Sequence, residues 1–265
     1  LQNNQSKANR SVTMNRAPLV ASLLTMILVS LPHVALAAEQ TYVVSGKDSF
    51  AIGAGDIRSE VSYSGTQSLR VSRHGKTMRF KAHVAYTRSD GTAQSEATGE
   101  YVADVMPSGE TLDYADHDPD YLTVLNQPFS AQLDRATLGD LQHLKGPLPF
   151  DFPSPFTGSS LHGYLQHIGD ATVGPRRAIG VRFESAGPMK GGLPDRPGLT
   201  LVGTIAMRGT AYYDLDTAFL LSLDTTVTIT GNVSNRSGKD PVTITYARTI
   251  RVDMPHAIQS AGKAP

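Results

Sequence analysis

Cysteine and tryptophan are both absent from the 265-residue sequence. Without a thiol there is no disulfide framework, no thiolate metal site, no cysteine nucleophile and no cysteine-anchored lipid. A surplus of charge is missing too. The 24 Lys+Arg stand against 24 Asp+Glu, which argues against a nucleic acid partner, because a phosphate backbone demands a basic face. Long apolar runs are scarce. The one between Leu19 and Leu31 contains Ser22, Thr25 and Ser30 and ends at Pro32, short of the ~20 residues of a spanning helix. What the chain does hold is 40% hydrophobic against 18% charged residues, which fills a core and argues against wholesale disorder.

That apolar run has a different use. It follows Met14-Asn15-Arg16 and precedes Ala35-Leu36-Ala37 and Ala38-Glu39, giving the basic start, apolar centre and small-residue cleavage site of a secretory signal peptide. Residues 1–13 are polar and patternless and read as an upstream extension or unstructured leader. Residues 1–37 are therefore expected to be leader and signal peptide, residues 38–255 a single β-rich domain, and residues 256–265 a flexible tail. Cleavage after Ala37 removes Lys7, Arg10 and Arg16 and no acid, leaving 21 basic against 24 acidic groups. The expected location is a bacterial periplasm or the exterior, where a cysteine-free chain folds on its core alone, with no stable membrane anchor after cleavage. Asn232-Val233-Ser234 and Asn235-Arg236-Ser237 match the glycosylation pattern but read as turn residues.

Period-two alternation dominates the rest. From Leu199 to Tyr213 the odd positions are apolar and the even ones include Thr200, Thr204, Arg208 and Thr210. Phe219, Leu221, Leu223, Val227 and Ile229 form a second apolar set, and Val242, Ile244, Tyr246, Ile250 and Val252 a third. These predict an antiparallel meander turning at Asp214–Thr217 and at Asn235–Pro241. The N-terminal half repeats the grammar with Leu69 and Val71, then Met78 to Tyr86, then Tyr101 to Val105. His74-Gly75-Lys76 and Ser89–Thr92 are its hairpin turns. Tyr42–Val44, Val61–Tyr63 and Ile179–Phe183 are further strands. The expected fold is mainly β (α+β): a curved antiparallel sheet or incomplete barrel of about nine to eleven strands with two short helices inserted mid-chain.

The insertion spans about residues 118–169. Asp118-Pro119-Asp120 opens a helix through Asn126 with a capping aspartate, a proline at the first helical position and an acid at the positive end. A second helix is expected from Ser130 to Leu144. The Pro/Phe segment from Pro147 to Phe156 is unsuited to a helix interior or a central strand and too apolar for water, so it is expected across the core at the rim of a cavity.

Motifs for chemistry are few. Asp113 to Asp120 could offer oxygen ligands to calcium, but an EF-hand register from Asp116 puts Tyr121 where glycine belongs and Gln127 where the bidentate glutamate belongs, so helix capping is the simpler reading. His162 and His167 are five apart, off the spacing of two ligands on one helical face. Gly158–Gly163 does not follow a strand as a nucleophile elbow must, and Ser260-x-x-Lys263 lies in the tail. No catalytic residue, metal or cofactor is therefore expected. Arg248 alone breaks the rules: it shares parity with Tyr246 and Ile250, so alternation points it at the apolar side, where a guanidinium needs a bulge to escape, a core carboxylate or a ligand head group.

Signal peptide, antiparallel strands, a helical insertion and more antiparallel strands resemble, over residues 60–254, the layout of periplasmic lipoprotein carriers of the LolA and LolB type. The resemblance implies a half-barrel under a helical lid, enclosing an apolar cavity for acyl chains. The chain departs from it by starting in strand-like Tyr42-Val43-Val44. Two functional readings follow. One is a non-enzymatic binder or carrier of a lipid or other apolar ligand, with Phe80, Tyr86, Tyr101, Phe183, Met207, Phe219, Tyr246 and Arg248 as candidate lining. The other is an envelope structural or interaction module that presents its Thr/Arg-rich face or an edge strand to envelope proteins.

Overall fold

The computed structural model describes residues 38–53, 57–75, 77–105, 111–120, 122, 135–154, 160–193, 196–235 and 238–254. The expected leader and tail lie outside these residues. Among the described residues eleven strands form one antiparallel sheet: β1 (Ala38–Ile52), β2 (Ile57–His74), β3 (Thr77–Ser89), β4 (Gln94–Val105), β5 (Thr111–Asp116), β6 (Leu148–Pro153), β7 (Ser160–Val173), β8 (Arg176–Leu193), β9 (Arg196–Asp214), β10 (Leu220–Asn235) and β11 (Gly238–Val252). Spatially they run β5-β4-β3-β2-β1-β11-β10-β9-β8-β7-β6. Two meanders thus meet where the first strand pairs with the last, in unbroken register from Tyr42↔Val252 to Ile52↔Val242. The sheet is curved and unclosed, with β5 and β6 at its edges.

Alternation sorts the two faces. Tyr42 and Val44 of β1, Leu69 of β2, Phe80, Val84 and Tyr86 of β3, Val181 and Phe183 of β8, Ile205 and Met207 of β9, Leu223 and Val227 of β10 and Ile244 and Ile250 of β11 are buried on one face. The opposite face carries Thr204, Thr230 and Thr243 in one cross-strand row, with 3.1 Å between the first two hydroxyls. Small hydroxylated residues suit a pleated surface that meets water on one side only.

The predicted meander β9-β10-β11 and its inward parities are present, but the strands are longer than the short apolar runs suggested. Tyr42–Val44 extends to 15 residues and Ile179–Phe183 to 18, because polar outward positions pair as well as apolar ones. Asp214 ties the β9–β10 turn, its carboxylate accepting from the Asp216 and Thr217 amides at 2.8 and 2.9 Å. Phe219 precedes β10 in this turn instead of standing on the strand, since the register slips between Leu220 and Ser222 and buries Leu220 and Leu221 together. Asn232 lies within β10 opposite Pro241, so it is not a turn residue.

The insertion differs from expectation. Among the described residues there is one helix, α1 (Arg135–His143), instead of two. Its buried Leu138 and Leu141 are one turn apart, so one apolar side faces the core. Residues 130–134 of the expected second helix lie outside the described residues. So does most of the expected first helix, of which Asp118–Asp120 and a helical Leu122 are described. Part of the Pro/Phe segment is a strand, β6. It occupies an edge, where Pro149 and Pro153 disturb no central ladder, and it buries Phe152.

Two glycines show how closely neighbouring strands approach. A Cβ at Gly65 would lie 2.6 Å from Tyr86 Cα on β3, and one at Gly231 would lie 2.8 Å from Gly203 Cα on β9. Gly65→Val is expected to lower the urea midpoint, with a loss of about 1–3 kcal/mol from overpacking. Gly139→Ala in α1, where a Cβ meets nothing within 4 Å, is expected to raise it by about 0.5–1 kcal/mol. Equal effects of the two substitutions would contradict this packing.

Candidate functional site on the inner face

Arg248 keeps its parity. The register runs through Tyr246, Ala247 and Arg248 without a bulge on both sides of β11, so the side chain points inward and its residue is 2% exposed. The space for it comes from β1. Gly46 stands directly opposite, and a Cβ there would lie 3.0 Å from both Cδ and Nη1 of Arg248.

Two residues along β1, Asp48 faces the same way and is also buried. Its carboxylate takes both ends of the guanidinium: Nη1 donates to Oδ1 and Nη2 to Oδ2, the latter at 3.2 Å. Arg248 also donates from Nη1 to the Ala247 carbonyl and from Nη2 to the Asp120 carbonyl, each at 3.0 Å. Its charge sits over the rings of Tyr63 and Tyr246, 5.2 and 5.6 Å from their centroids. Only the Nε donor has no acceptor. Of the alternatives for Arg248, the core carboxylate is the one realised, while the bulge is not.

A second carboxylate completes the cluster. Asp120, just beyond β5, accepts from Tyr63 Oη on Oδ1 at 3.2 Å and from Tyr86 Oη on Oδ2 at 2.6 Å. Arg88 Nε approaches Oδ1 to 3.5 Å. The neighbouring Asp118 carboxylate accepts the Asp120 amide at 3.3 Å, as a capping aspartate would, and packs over Gly99. Asp120, expected to serve the positive end of a helix, instead serves two core tyrosines. No group of metal-ligating side chains suited to an ion is present among the described residues.

Burial governs the electrostatics. It pushes the Asp48 carboxyl above its usual range, with the Arg248 pairing acting in the opposite direction. Burial likewise pushes the Tyr63 and Tyr86 phenols far above the usual tyrosine range, and the adjacent aspartates add to it. Tyr42 and Tyr213 are raised by burial too. The cluster therefore favours neutral tyrosines as donors.

The sequence-predicted lining is placed mostly on this face. Phe80, Tyr86, Phe183, Met207, Tyr246 and Arg248 are buried there, Tyr101 is partly buried on β4, and Phe219 stands apart in its turn. Tyr86, Tyr246 and Arg248 belong to the polar cluster, while Phe183 and Met207 lie across the seam on β8 and β9. Sequence reasoning missed Gly46, Asp48, Tyr63 and Asp120. Extending the parity of Tyr42 and Val44 along β1 would have turned Gly46 and Asp48 inward, onto the face of Arg248. On the opposite face, two adjoining shallow hollows of about 550 and 440 Å³ share Glu184, Arg208 and Thr226.

Asp48→Ala leaves the buried guanidinium without its carboxylate and is expected to cost about 3–5 kcal/mol in denaturant unfolding. The double substitution Asp48→Leu with Arg248→Met is expected to recover most of that loss, and a double variant no better than the single would contradict a paired buried charge. The raised phenols make a second expectation. Their contribution to stability is complete below about pH 10 and is lost as the pH rises, because the unfolded chain then gives up protons that the fold retains. Ultraviolet titration of the ten tyrosines should show a normal phase and a delayed one coinciding with unfolding. A single normal phase would be inconsistent with this burial.

No family model matches the sequence, and no curated protein does. Among solved structures the chain is similar to lipovitellin, in a structure of its lipid–protein interactions, with a TM-score of 0.40 and 13% identity. That match covers 83% of this chain but 26% of the lipovitellin chain, so this chain spans about a quarter of its length. It is also similar to a Parabacteroides distasonis protein provisionally named a lipoprotein, with a TM-score of 0.24 and 11% identity, covering 82% of this chain and 96% of the other.

Proposed function

We propose that the protein is a non-enzymatic extracytoplasmic carrier that holds a lipid or other apolar molecule against the inner face of its sheet. The observation that carries this reading is an apolar face on a sheet whose edges do not meet. In a closed barrel the same residues would be sealed by hydrogen-bonded strands. Toward the two edges the apolar face is less completely covered, with Tyr101 on β4 and Leu148 and Phe150 on β6 only partly buried. Leu122 and Leu138 and Leu141 of α1 join the apolar core from outside the sheet, packed by their side chains. Segments of that kind open at lower cost than paired strands. Phe80, Tyr86, Tyr101, Phe183, Met207, Tyr246 and Arg248 remain the lining of this reading, with Phe219 at its margin. Export follows from the Ala35-Leu36-Ala37 signal.

The other reading, an envelope interaction module, has one observation in its favour: the hollowed Thr/Arg/Glu surface that crosses β7 to β11. The edge-strand version of it has less. β5 is six residues long, and β6 carries Pro149, Asp151 and Pro153, the short and proline-bearing edges that discourage strand addition.

Native mass spectrometry of the protein purified from a producing envelope without detergent tests the choice. The expected result is a monomer carrying an extra mass that denaturation releases as an apolar molecule. A bare monomer that also fails to bind a long-chain fluorescent lipid would overturn the carrier reading, and a protein adduct would favour the interaction module.

A further inference from the structure

Within the proposed carrier, the polar cluster is over-provided for a purely structural role. The Asp48–Arg248 pair fixes the register of β1 on β11, but that task calls for neither the second carboxylate of Asp120 nor Arg88. Arg248 still has a buried Nε donor without an acceptor. Its partners also differ in how they are held. Asp48 sits within β1, paired on both sides, whereas Asp120 sits in a turn beyond β5 and reaches in by its side chain and one carbonyl.

We propose that Asp120 occupies the seat of a ligand carboxylate, and that Tyr63, Tyr86, Arg88 and Arg248 form the head-group site for a long-chain carboxylic acid whose tail lies on the apolar face. This rests on the carrier reading. The geometry supplies the head-group chemistry. The two Asp120 oxygens each take one phenol, at 3.2 and 2.6 Å, so the seat is shaped for a two-oxygen planar anion. Charge bears on the seat as well: with Asp118 acting on Tyr86 and Asp90 on Arg88, withdrawal of Asp120 removes one negative charge from beside Arg88, and a monoanion replaces it. The withdrawal also frees the Arg248 Nη2 donor that the Asp120 carbonyl now holds. Exposure orders the groups from the mouth inward, the Arg88 side chain being 40% exposed, Asp120 17% and Arg248 1%. An acid entering head-last would meet Arg88 at the rim.

The test compares palmitate, hexadecanol and acetate by calorimetric titration of the full protein, together with Asp120→Asn and Arg88→Gln. The first variant keeps the shape of the side chain, and the second alters a half-exposed residue, so circular dichroism and the unfolding midpoint serve as folding controls. Palmitate is expected to bind about tenfold or more tighter than hexadecanol, the worth of charge-assisted hydrogen bonds. Asp120→Asn should strengthen palmitate binding, because a neutral amide competes less well for the arginines, and Arg88→Gln should shrink palmitate's advantage over hexadecanol. Equal affinities for palmitate and hexadecanol would overturn the head-group site while leaving an apolar carrier standing. Acetate binding as tightly as palmitate would overturn the amphiphile and leave an anion site. Binding of none of the three would overturn both proposals.

Discussion

The pairing of β1 with β11 is the constraint on which the rest of the molecule depends. Each meander could form from local hairpins, but neither alone has a face wide enough to enclose a core. Joining the first strand to the last in eleven consecutive register pairs makes one sheet of both, and its curvature turns the apolar faces of the two halves toward a common interior. Such contacts, roughly two hundred residues apart in sequence, are the entropically expensive ones, since the chain between them must be closed before they return anything. The long alternating runs of β9, β10 and β11 supply the apolar area that offsets this cost.

The same seam carries the buried ion pair. Gly46 makes room across from Arg248, and Asp48 meets it from the neighbouring inward position, so the guanidinium and its carboxylate belong to the two strands that close the fold. A one-residue slip would turn Asp48 toward solvent and leave Arg248 buried without its carboxylate. Apolar alternation alone tolerates a two-residue slip, because it repeats with that period. The Gly46–Arg248 match does not. The pair therefore adds to register what hydrophobic pattern cannot, at the expense of desolvating two charges.

Around this seam the sheet is asymmetric in what protects it. Its outer face is hydroxylated and meets water, its edges are short or interrupted by proline, and its inner face takes up buried Leu138 and Leu141 of a short helix and the Asp120 side chain. The strands are knit by backbone ladders, whereas Leu138 and Leu141 of α1 and the Asp120 carboxylate meet the interior through side chains.

Strand parity was legible in the sequence because it is local. Leu199–Tyr213 and Val242–Met254 carry their inward and outward sides in a period of two, and the structure keeps them over residues 200–213 and 242–252. Arg248 was legible for the same reason, as the polar residue in an apolar parity. That Asp48 and Asp120 answer it was not, because both lie far from it along the chain: parity can turn Asp48 inward but cannot say which strand is its neighbour, and Asp120 carries a local helix-end reading of its own. Phe219 departs from its predicted face because a register slip of one residue leaves no compositional trace. The insertion differs in a related way. Pro149 and Pro153 exclude a central strand but leave an edge strand open, and only the order of strands in space decides where the edge falls. By itself the sequence determined which way each side chain faces along a strand, since that follows from backbone pleat and the partition of apolar groups from water. Tertiary structure decided which strands are neighbours, and so which charges meet, because pairing is settled by the free energy of the whole closed sheet.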